Sequence, residues 1–255
     1  MLLAIDTGNT QTVIGLFDGT ELADHWRIAT VASRTSDELA LMIQQFLGFH
    51  GFDAEAAVTG VAIASGVPSV TAALREMTRR YFGFEALVLE PGVRTGMAIL
   101  YDNPKEVGPD RIADAVAAYD RYGGPTIVVD FGTANTVEAI SAKGEYLGGA
   151  IFPGIEVSLD ALFGRAAGLR RVELVPPRHV IGRSTVESIQ AGAVYGFSGQ
   201  VDAIVERFEV ELGRCTVVAT GGLAELIIPY SRTIQHHEPW LTLHGLRIVF
   251  ERNQE

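Results

Sequence analysis

The chain has 255 residues, 47% of them apolar, and a formal net charge of −11 at pH 7. The negative charge and the scattered basic residues argue against nucleic acid as a partner, because a surface that binds it needs clustered cations. No apolar run approaches the roughly 20 residues of a membrane helix. The first apolar run ends at Asp6, so neither a membrane span nor a signal peptide is predicted. We therefore expect a soluble, cytoplasmic protein, and the single Cys215 fits a reducing compartment.

The first predicted elements form a meander around Asp6. Residues 3–5 are strand-like and lead into Asp6-Thr7-Gly8-Asn9-Thr10, after which residues 12–17 form a second extended run. The tight-turn dipeptide Asp18-Gly19 and a third extended run over residues 21–29 follow. This order predicts three strands joined by two hairpins.

Strands and helices alternate in the next segment. The capping-box sequence Thr35-Ser36-Asp37-Glu38 begins a helix that ends at Gly48. Residues 58–64 and 86–89 are predicted to be buried strands, with a helix over residues 68–81 between them. This alternation predicts an α/β layered domain.

Asp110 lies at the start of the next predicted helix. Pro109 occupies the first helical position, and Ile112 and Val116 lie on the apolar stripe. Asp110 could stabilise the helix through the macrodipole alone. It could instead accept the proton of a substrate hydroxyl while Arg111 neutralises phosphate charge. The residues alone leave both alternatives open.

Residues 127–147 repeat the opening meander. A strand-like run over residues 127–129 leads into Asp130-Phe131-Gly132-Thr133-Ala134-Asn135-Thr136, and the turn Lys143-Gly144 separates two further extended runs. Asp130 lies 124 residues after Asp6, close to half the chain length. The sequence therefore predicts a duplicated domain.

The two Asp-x-Gly turns, in matching contexts, predict two phosphate-binding loops. Glycine lets an anion approach the backbone, and threonine and asparagine side chains add donors. An aspartate beside phosphate oxygens is explained by a bridging cation, usually Mg²⁺. One copy alone would favour simple turn chemistry, and the second copy reverses that preference.

A long helix is predicted to begin at the capping box Ser184-Thr185-Val186-Glu187 and to end near Leu212. Three glycines recur near one of its faces, Gly192, Gly196 and Gly199. Such glycines indicate close packing, either within the chain or across a dimer.

A third element of nucleotide-binding type follows that helix. Residues 216–219 form a predicted buried strand, and Thr220-Gly221-Gly222 turns from it into another helix. Paired glycines at such a turn let an adenine or a ribose lie against the backbone.

The scarcity of lysine excludes two common kinase mechanisms. Only Lys105 and Lys143 occur, and neither lies in a P-loop or in a protein-kinase context. The role of Lys105 stays open between a phosphate contact and a surface position.

Seven short segments, in this order and spread nearly from end to end of the chain, resemble the motifs of the type III pantothenate kinases. Seven ordered motifs are far more specific than any one of them. They are Asp6–Thr10, Tyr101–Pro104, Gly108–Arg111, Asp130–Thr133, Gly148–Gly154, Ile181–Thr185 and Thr220–Gly222.

The resemblance implies the fold of the superfamily of acetate and sugar kinases, heat-shock 70 proteins and actin. This is an α/β actin-like ATPase fold of two duplicated ribonuclease H-like domains, each a mixed five-stranded sheet flanked by helices. We expect the first domain, with the first phosphate loop, at residues 1–114. The second domain, with the second loop and the adenosine motif, is expected at residues 115–255.

The resemblance further implies ATP-dependent phosphorylation of pantothenate to 4′-phosphopantothenate, the first step of coenzyme A biosynthesis. Mg²⁺ would lie near Asp6, held through the phosphates, and Asp130 would bind a monovalent cation, K⁺ or NH₄⁺. ATP would be bound by Asp6, Thr7, Gly8, Asn9, Thr10, Gln11, Thr12, Val13, Thr133, Gly221 and Gly222.

By the same resemblance, Asp110 would be the catalytic base. The pantothenate site would consist of Tyr101, Gly108, Pro109, Asp110, Arg111 and Thr185. Thr185 would come from the neighbouring subunit of a homodimer, which places the substrate site at or near the interface.

Two other interpretations stay open. The chain could phosphorylate another small hydroxylated metabolite, or it could be a non-enzymatic, nucleotide-dependent regulatory accessory factor.

The chain departs from the family pattern after the second loop, where Thr136-Val137-Glu138 replaces the frequent Thr-Phe-Asp.

Overall fold

The computed structural model describes residues 1–52 and 54–254. They form two compact units. The first contains Met1–Met97, Asp102–Ala117 and the segment from Leu241 onward, and the second contains Ala98–Tyr101 and Ala118–Trp240. No helix in this described part of the chain combines the length and the apolar character needed to cross a membrane.

The first unit is built on a five-stranded sheet with helices beside it. Its strands are β1 (Leu2–Thr7), β2 (Gln11–Asp18), β3 (Glu21–Ala29), β4 (Gly60–Ser65) and β5 (Leu87–Val88). Its helices are α1 (Ser36–Phe49), α2 (Ala54–Ala57) and α3 (Pro68–Met77), the last continued by a π-helical turn over Thr78–Phe82. The strand order is β3-β2-β1-β4-β5.

The second unit is built on a six-stranded sheet. Its strands are β6 (Ala98–Ile99), β7 (Thr126–Phe131), β8 (Ala134–Ile140), β9 (Glu145–Pro153), β10 (Thr216–Thr220) and β11 (His236–His237). The remaining helices of the chain are α4 (Pro109–Tyr122), α5 (Ile155–Arg165), α6 (Thr185–Leu212), α7 (Ala224–Ile227) and α8 (Leu241–Arg252), with 3₁₀ turns at Pro104–Glu106 and Ile228–Tyr230. The strand order is β11-β10-β7-β8-β9-β6.

The two sheets repeat one topology. β1 is antiparallel to β2 and parallel to β4, and β7 is likewise antiparallel to β8 and parallel to β10. The outer pairs also agree, because β2–β3 and β8–β9 are antiparallel while β4–β5 and β10–β11 are parallel. The predicted duplication is therefore confirmed.

The repeat extends to an irregularity in the strands. Ala23 is an extra residue on β3, opposite the step from Leu16 to Phe17. Leu147 is an extra residue on β9, opposite the step from Ala139 to Ile140. Bulges of this kind are retained as features of a fold rather than as defects, so the shared position further supports duplication.

The second sheet has one strand more than the five expected. β6 pairs in parallel with the outer edge of β9, through Ala98 with Glu145 and Ile99 with Tyr146. A two-residue strand that pairs over such a sequence distance carries no local periodicity, which is why the sequence did not predict it.

Helix α8 packs on β1, β2 and β4 of the first sheet. Its buried side chains include Leu241, Leu243, Leu246 and Val249, an apolar stripe that needs a sheet face to cover it. The segment from Leu241 onward and residues 115–117 thus lie in the first unit. The sequence had placed both in the second domain, residues 115–255.

The main core of the first unit lies on one face of its sheet. Leu3 and Ile5 of β1 belong to this core together with residues of α1 and α3. Because strand side chains alternate between faces, Asp6 projects from the opposite face. That face carries α8, since a Cβ atom on Gly15 would come 2.8 Å from the side chain of Leu243.

Local capping sets the helix starts as predicted. The Thr35 hydroxyl accepts from the Glu38 backbone, and the Glu38 carboxylate accepts in return from the Thr35 backbone. Ser184 caps α6 by accepting from the backbone nitrogen of Glu187 at 3.2 Å. At Ser184 the predicted box is incomplete, because the Glu187 carboxylate accepts from the backbone nitrogen of Arg183 at 3.0 Å. Both caps nevertheless satisfy amides that a helix start leaves without partners.

Candidate active site

The first predicted phosphate loop closes the hairpin between β1 and β2. Thr7 pairs with Thr12, and the backbone nitrogen of Gly8 donates to the carbonyl oxygen of Gln11 at 3.0 Å. Thr30 braces the loop from β3, because its backbone nitrogen donates to the carbonyl of Thr10 at 2.9 Å. The exposed tip presents polar side chains to solvent, where an anion could reach them: Asn9, Thr10 and Gln11.

Asp6 lies at the carboxyl end of β1, beside the start of this loop. It pairs with Val13 on β2 and with Ala64 on β4, and it is half-buried. The carboxyl ends of parallel strands in α/β sheets are the usual place for ligands.

Asp110 begins α4, whose first turns belong to the same unit as Asp6. Its Oδ1 accepts from the backbone nitrogen of Arg111 at 2.9 Å. A Cβ atom on Gly108 would overlap that oxygen, so the glycine leaves room for the carboxylate. The carboxylate is half-buried, which leaves part of it open to a substrate.

Helix α4 contacts α8 closely near Asp110. A Cβ atom on Gly245 of α8 would overlap the backbone of Ala113, one turn beyond Asp110. Helix α8 itself lies on the sheet face toward which Asp6 projects. The two carboxylates assigned to chemistry therefore belong to one unit, and both lie on elements that α8 contacts.

Sequence reasoning missed Asp114. Its side chain is 2% exposed and accepts from Oγ1 of Thr242 on α8 at 2.7 Å. The available signal was its place among the apolar residues Ala113, Ala115 and Val116, where a carboxylate needs a partner. Through this hydrogen bond, Asp114 attaches α4, the helix that begins at Asp110, to the first turn of α8.

The second predicted loop closes the hairpin between β7 and β8. Phe131 pairs with Asn135, so this loop is one residue shorter than the first. The backbone nitrogen of Gly154 donates to the carbonyl of Thr133 at 3.1 Å, and a Cβ atom on Gly154 would overlap that carbonyl. The start of α5 thus supports the loop from behind, while the Thr133 side chain is exposed.

Asp130 lies against the predicted adenosine motif. A Cβ atom on Gly221 would overlap Oδ1 of Asp130 and come 2.5 Å from the backbone nitrogen of Phe131. Gly221 also has a φ of +92°, which side chains rarely tolerate. The helix expected after Gly222 is only the single turn α7.

Tyr101 and Thr185, predicted to bind the acceptor, both lie in the second unit. The ring of Tyr101 lies over Gly148, where a Cβ atom would come 3.3 Å from Cε2. Thr185 is the exposed first residue of α6. The predicted site residues therefore form two sets, with the first loop, Gly108, Pro109, Asp110 and Arg111 in the first unit and the others in the second.

Over residues 1–52 and 54–254, no three histidine, cysteine, aspartate or glutamate side chains gather as a metal site. Glu238, beside His236 and His237, instead accepts from Tyr122 and from Nη1 of Arg121 at 2.7 Å. A Mg²⁺ ion held by one carboxylate, phosphates and water fits such a chain.

The comparisons with known proteins agree with these features. The family model of the type III pantothenate kinases matches residues 2–207. The type III pantothenate kinase of Streptomyces griseus is 57% identical over 99% of this chain and 98% of its own length. The enzyme of the same name from Moorella thermoacetica is 55% identical over 99% of this chain and 100% of its own.

A solved structure shares the fold. The inorganic polyphosphate/ATP-glucomannokinase of Arthrobacter sp. strain KM aligns with a TM-score of 0.53 at 15% identity, over 100% of this chain and 99% of its own. The duplicated sheets with their paired loops define two ribonuclease H-like domains, and the relatives named as kinases make the chain a phosphotransferase. Within that class, the chain belongs to the type III pantothenate kinase family.

Proposed function

We propose that this chain transfers the γ-phosphoryl group of ATP to the primary hydroxyl of pantothenate, in the cytoplasm, as the first step toward coenzyme A. The observation that carries the proposal is the Asp110 carboxylate, which is fixed by the Arg111 amide at 2.9 Å and only half-buried. A general base must be oriented and accessible at the same time. A carboxylate that served only the macrodipole would not need Gly108 to make room for it.

ATP binding is assigned to the two loops and the adenosine motif. The amides and polar side chains of Asp6–Val13 hold the β and γ phosphates together with Mg²⁺ near Asp6, and Thr133 contacts the phosphates from the second loop. A Mg²⁺ ion held near Asp6 would neutralise phosphate charge when bound. Gly221 and Gly222 lie beside the adenosine. This metal matters for a chain of net charge −11, because the carboxylates would otherwise repel ATP.

The acceptor site is assigned to Tyr101, Gly108, Pro109, Arg111 and Thr185. Asp110 orients the attacking hydroxyl and accepts its proton, and the Arg111 guanidinium offsets the negative charge of the acceptor or the phosphate. Arg111 is 8% exposed, so its charge acts where solvent screens little. Positioning and charge compensation supply most of the rate in phosphoryl transfer.

Asp130 is assigned to the monovalent cation. Its carboxylate lies against the backbone of Gly221, and a Cβ atom on Gly132 would come 3.4 Å from Oδ2. Because glycines leave the backbone accessible, backbone carbonyls beside Asp130 could act as ligands together with its carboxylate and a phosphate oxygen. A monovalent cation that takes several oxygen ligands would suit such a site.

We assign the active form to a homodimer in which Thr185 reaches the partner's acceptor site. The glycines of α6 support this, because Cβ atoms on Gly192, Gly196 and Gly199 would meet nothing within 4 Å. The three glycines are exposed at helical spacing. The described part of the chain therefore does not pack against these glycines. The sequence offered two alternatives, close packing within the chain or across a dimer, and this observation favours the dimer.

One assay separates this function from its competitors. Purified protein is incubated with ATP, Mg²⁺ and pantothenate, glucose or acetate, each with and without K⁺, and products are identified by mass spectrometry. We expect 4′-phosphopantothenate only in the pantothenate reactions, with K⁺ required. Phosphorylated glucose or acetyl phosphate would instead identify another metabolite kinase, and nucleotide binding without any phosphorylated product would identify a regulatory factor.

A further inference from the structure

Glu138 is a buried carboxylate in the middle of β8. It is 1% exposed, and the hydroxyl of the fully buried Tyr146 donates to its Oε2 at 2.6 Å. Val137 belongs to the main core of the second unit, so Glu138 projects from the opposite face of the sheet. Burial of a carboxylate carries a large desolvation cost, and a role beyond packing is the natural reason to retain one.

Glu138 faces a glycine on the neighbouring strand. It pairs with Gly149 on β9, where a Cβ atom would come 2.1 Å from the carbonyl oxygen of Val137 and 2.6 Å from Oε2 of Glu138. The first sheet has Gly15 at the equivalent position, paired with His25. The carboxylate therefore does not belong to the duplicated template, and the second unit has it alone.

A chain of contacts leads from Glu138 to Tyr101. The rings of Tyr146 and Tyr101 lie 6.4 Å apart, centroid to centroid, at 53°, within the range of favourable aromatic pairs. The Tyr101 ring also lies close to Gly148, where a Cβ atom would come 3.3 and 3.4 Å from ring carbons. Gly148 has a φ of +118°, so a larger residue there is disfavoured both by strain and by the ring.

The sixth strand of the second sheet brings Tyr101 to this place. β6 pairs with β9 at Ile99 and Tyr146, and the backbone nitrogen of Leu100 donates to the carbonyl of Tyr146 at 2.8 Å. Tyr101 follows directly. The added strand thus places Tyr101 beside Tyr146, whose hydroxyl is bound by the added carboxylate.

We propose that Glu138 is a positioning residue, which acts through Tyr146 to hold the Tyr101 ring in the orientation that binds the acceptor. The inference rests on the proposed function in one respect, the assignment of Tyr101 to the pantothenate site. The hydrogen bond from a buried phenol to a buried carboxylate fixes the rotamer of Tyr146. Tyr101, half-buried at the surface of the site, takes its orientation from that ring.

Tyr146→Phe tests the hydrogen bond, because it removes the donor and keeps the ring. We expect the KM for pantothenate to rise about three- to tenfold, the range that one hydrogen bond sets, with kcat and the KM for ATP within twofold. Glu138→Gln, as a separate single variant, keeps an acceptor oxygen for Tyr146, so its KM for pantothenate should stay close to that of the original protein. Tyr81→Phe is the matched control, since Tyr81 also donates to a carboxylate, that of Asp37 at 2.7 Å.

A double-mutant cycle distinguishes positioning from general stability. In a Tyr101→Ala background, Tyr146→Phe should leave the KM for pantothenate unchanged, because the residue through which it acts is gone. Equal effects of Tyr146→Phe in both backgrounds would contradict the proposal.

A readout without substrate keeps the inference separate from the proposed function. Protein labelled with 3-fluorotyrosine is studied by ¹⁹F NMR, with the Tyr101 signal assigned by Tyr101→Phe. Tyr146→Phe should shift or broaden that signal, and Tyr81→Phe should not. An unchanged Tyr101 signal overturns the positioning role even where pantothenate is phosphorylated, whereas a shifted signal supports it even where pantothenate is not the acceptor.

Discussion

Gly221 and Asp130 are in such close contact that any side chain at residue 221 would overlap the carboxylate. The turn after β10 is thereby tied to the end of β7, its parallel neighbour in the sheet. Gly221, predicted to lie beside adenosine, also has a direct part in holding the residue assigned to the monovalent cation.

Gly221→Ala should weaken cation binding and stability together. The new methyl group displaces Asp130 and is strained at a φ of +92°, which costs about 1–3 kcal/mol of unfolding free energy. We expect the K⁺ concentration for half-maximal turnover to rise. Gly48→Ala in α1, where a Cβ atom meets nothing within 4 Å, should leave the K⁺ dependence unchanged and should not lower the free energy of unfolding. An unaltered K⁺ dependence in Gly221→Ala would argue against the cation at Asp130.

Asp110→Asn should lower kcat at least ~10²-fold, the scale of general-base catalysis, with little change in ATP affinity. The asparagine oxygen can still accept from the Arg111 amide, so the start of α4 is preserved. Asp120→Asn, an exposed position on the same helix, is the control. The measurement is steady-state turnover together with ATP titration, and near-normal turnover would remove Asp110 from the role of base.

Asp202 should contribute stability that disappears in acid. Burial acts to raise the pKa of this carboxyl, but hydrogen bonds from Ser231, the Arg232 amide and Thr233 outweigh burial and hold the pKa below its usual value of 3.8. Because the pKa is lower in the folded state, the contribution is full above the ordinary pKa and is lost as the pH falls through the folded value.

Asp202→Asn is therefore expected to reduce the free energy of unfolding by about 1.5–3 kcal/mol at pH 7. The gap to the original protein should narrow as the pH falls below about 4. Urea unfolding at a series of pH values gives the measurement. Glu206→Gln, an exposed partner of Arg232, should have little effect at any pH. A gap that persists in acid would contradict the assigned pKa direction.

Gly196→Arg should disrupt the proposed dimer. Within residues 1–52 and 54–254, a Cβ atom on Gly196 would meet nothing within 4 Å, so a large charged side chain there should affect a second copy rather than the fold. We expect a monomer by light scattering, together with a higher KM for pantothenate, since Thr185 would no longer reach the partner's site. Gly48→Arg on α1 should stay dimeric, and a dimeric Gly196→Arg would place the interface elsewhere.

Local signals in the sequence were reliable guides to the structure. The hairpins after Asp6 and Asp130, the capping box at Thr35, the Ser184 cap and Pro109 at the start of α4 each depend on neighbours within a few residues. The repeated motif predicted the duplication because the same hairpin twice is a pattern that a sequence displays directly.

Long-range contacts could not be predicted in the same way. The pairing of β6 with β9, the packing of α8 on the first sheet and the contact of Gly221 with Asp130 each join residues far apart in the chain. In the sequence, Glu138 differs from the frequent Thr-Phe-Asp pattern, but its neighbours in the chain do not indicate that it lies near Tyr101. The residue type alone does not show which distant residue such a side chain contacts, and only the folded structure identifies that residue.

The position of α8 sets an order of events during synthesis. The sheet of the first unit is translated first, yet the helix that covers one of its faces follows the whole of residues 118–240. During synthesis the first unit therefore lacks the helix that covers one sheet face until residues 118–240 have been made, and apolar strand surface stays uncovered for that time.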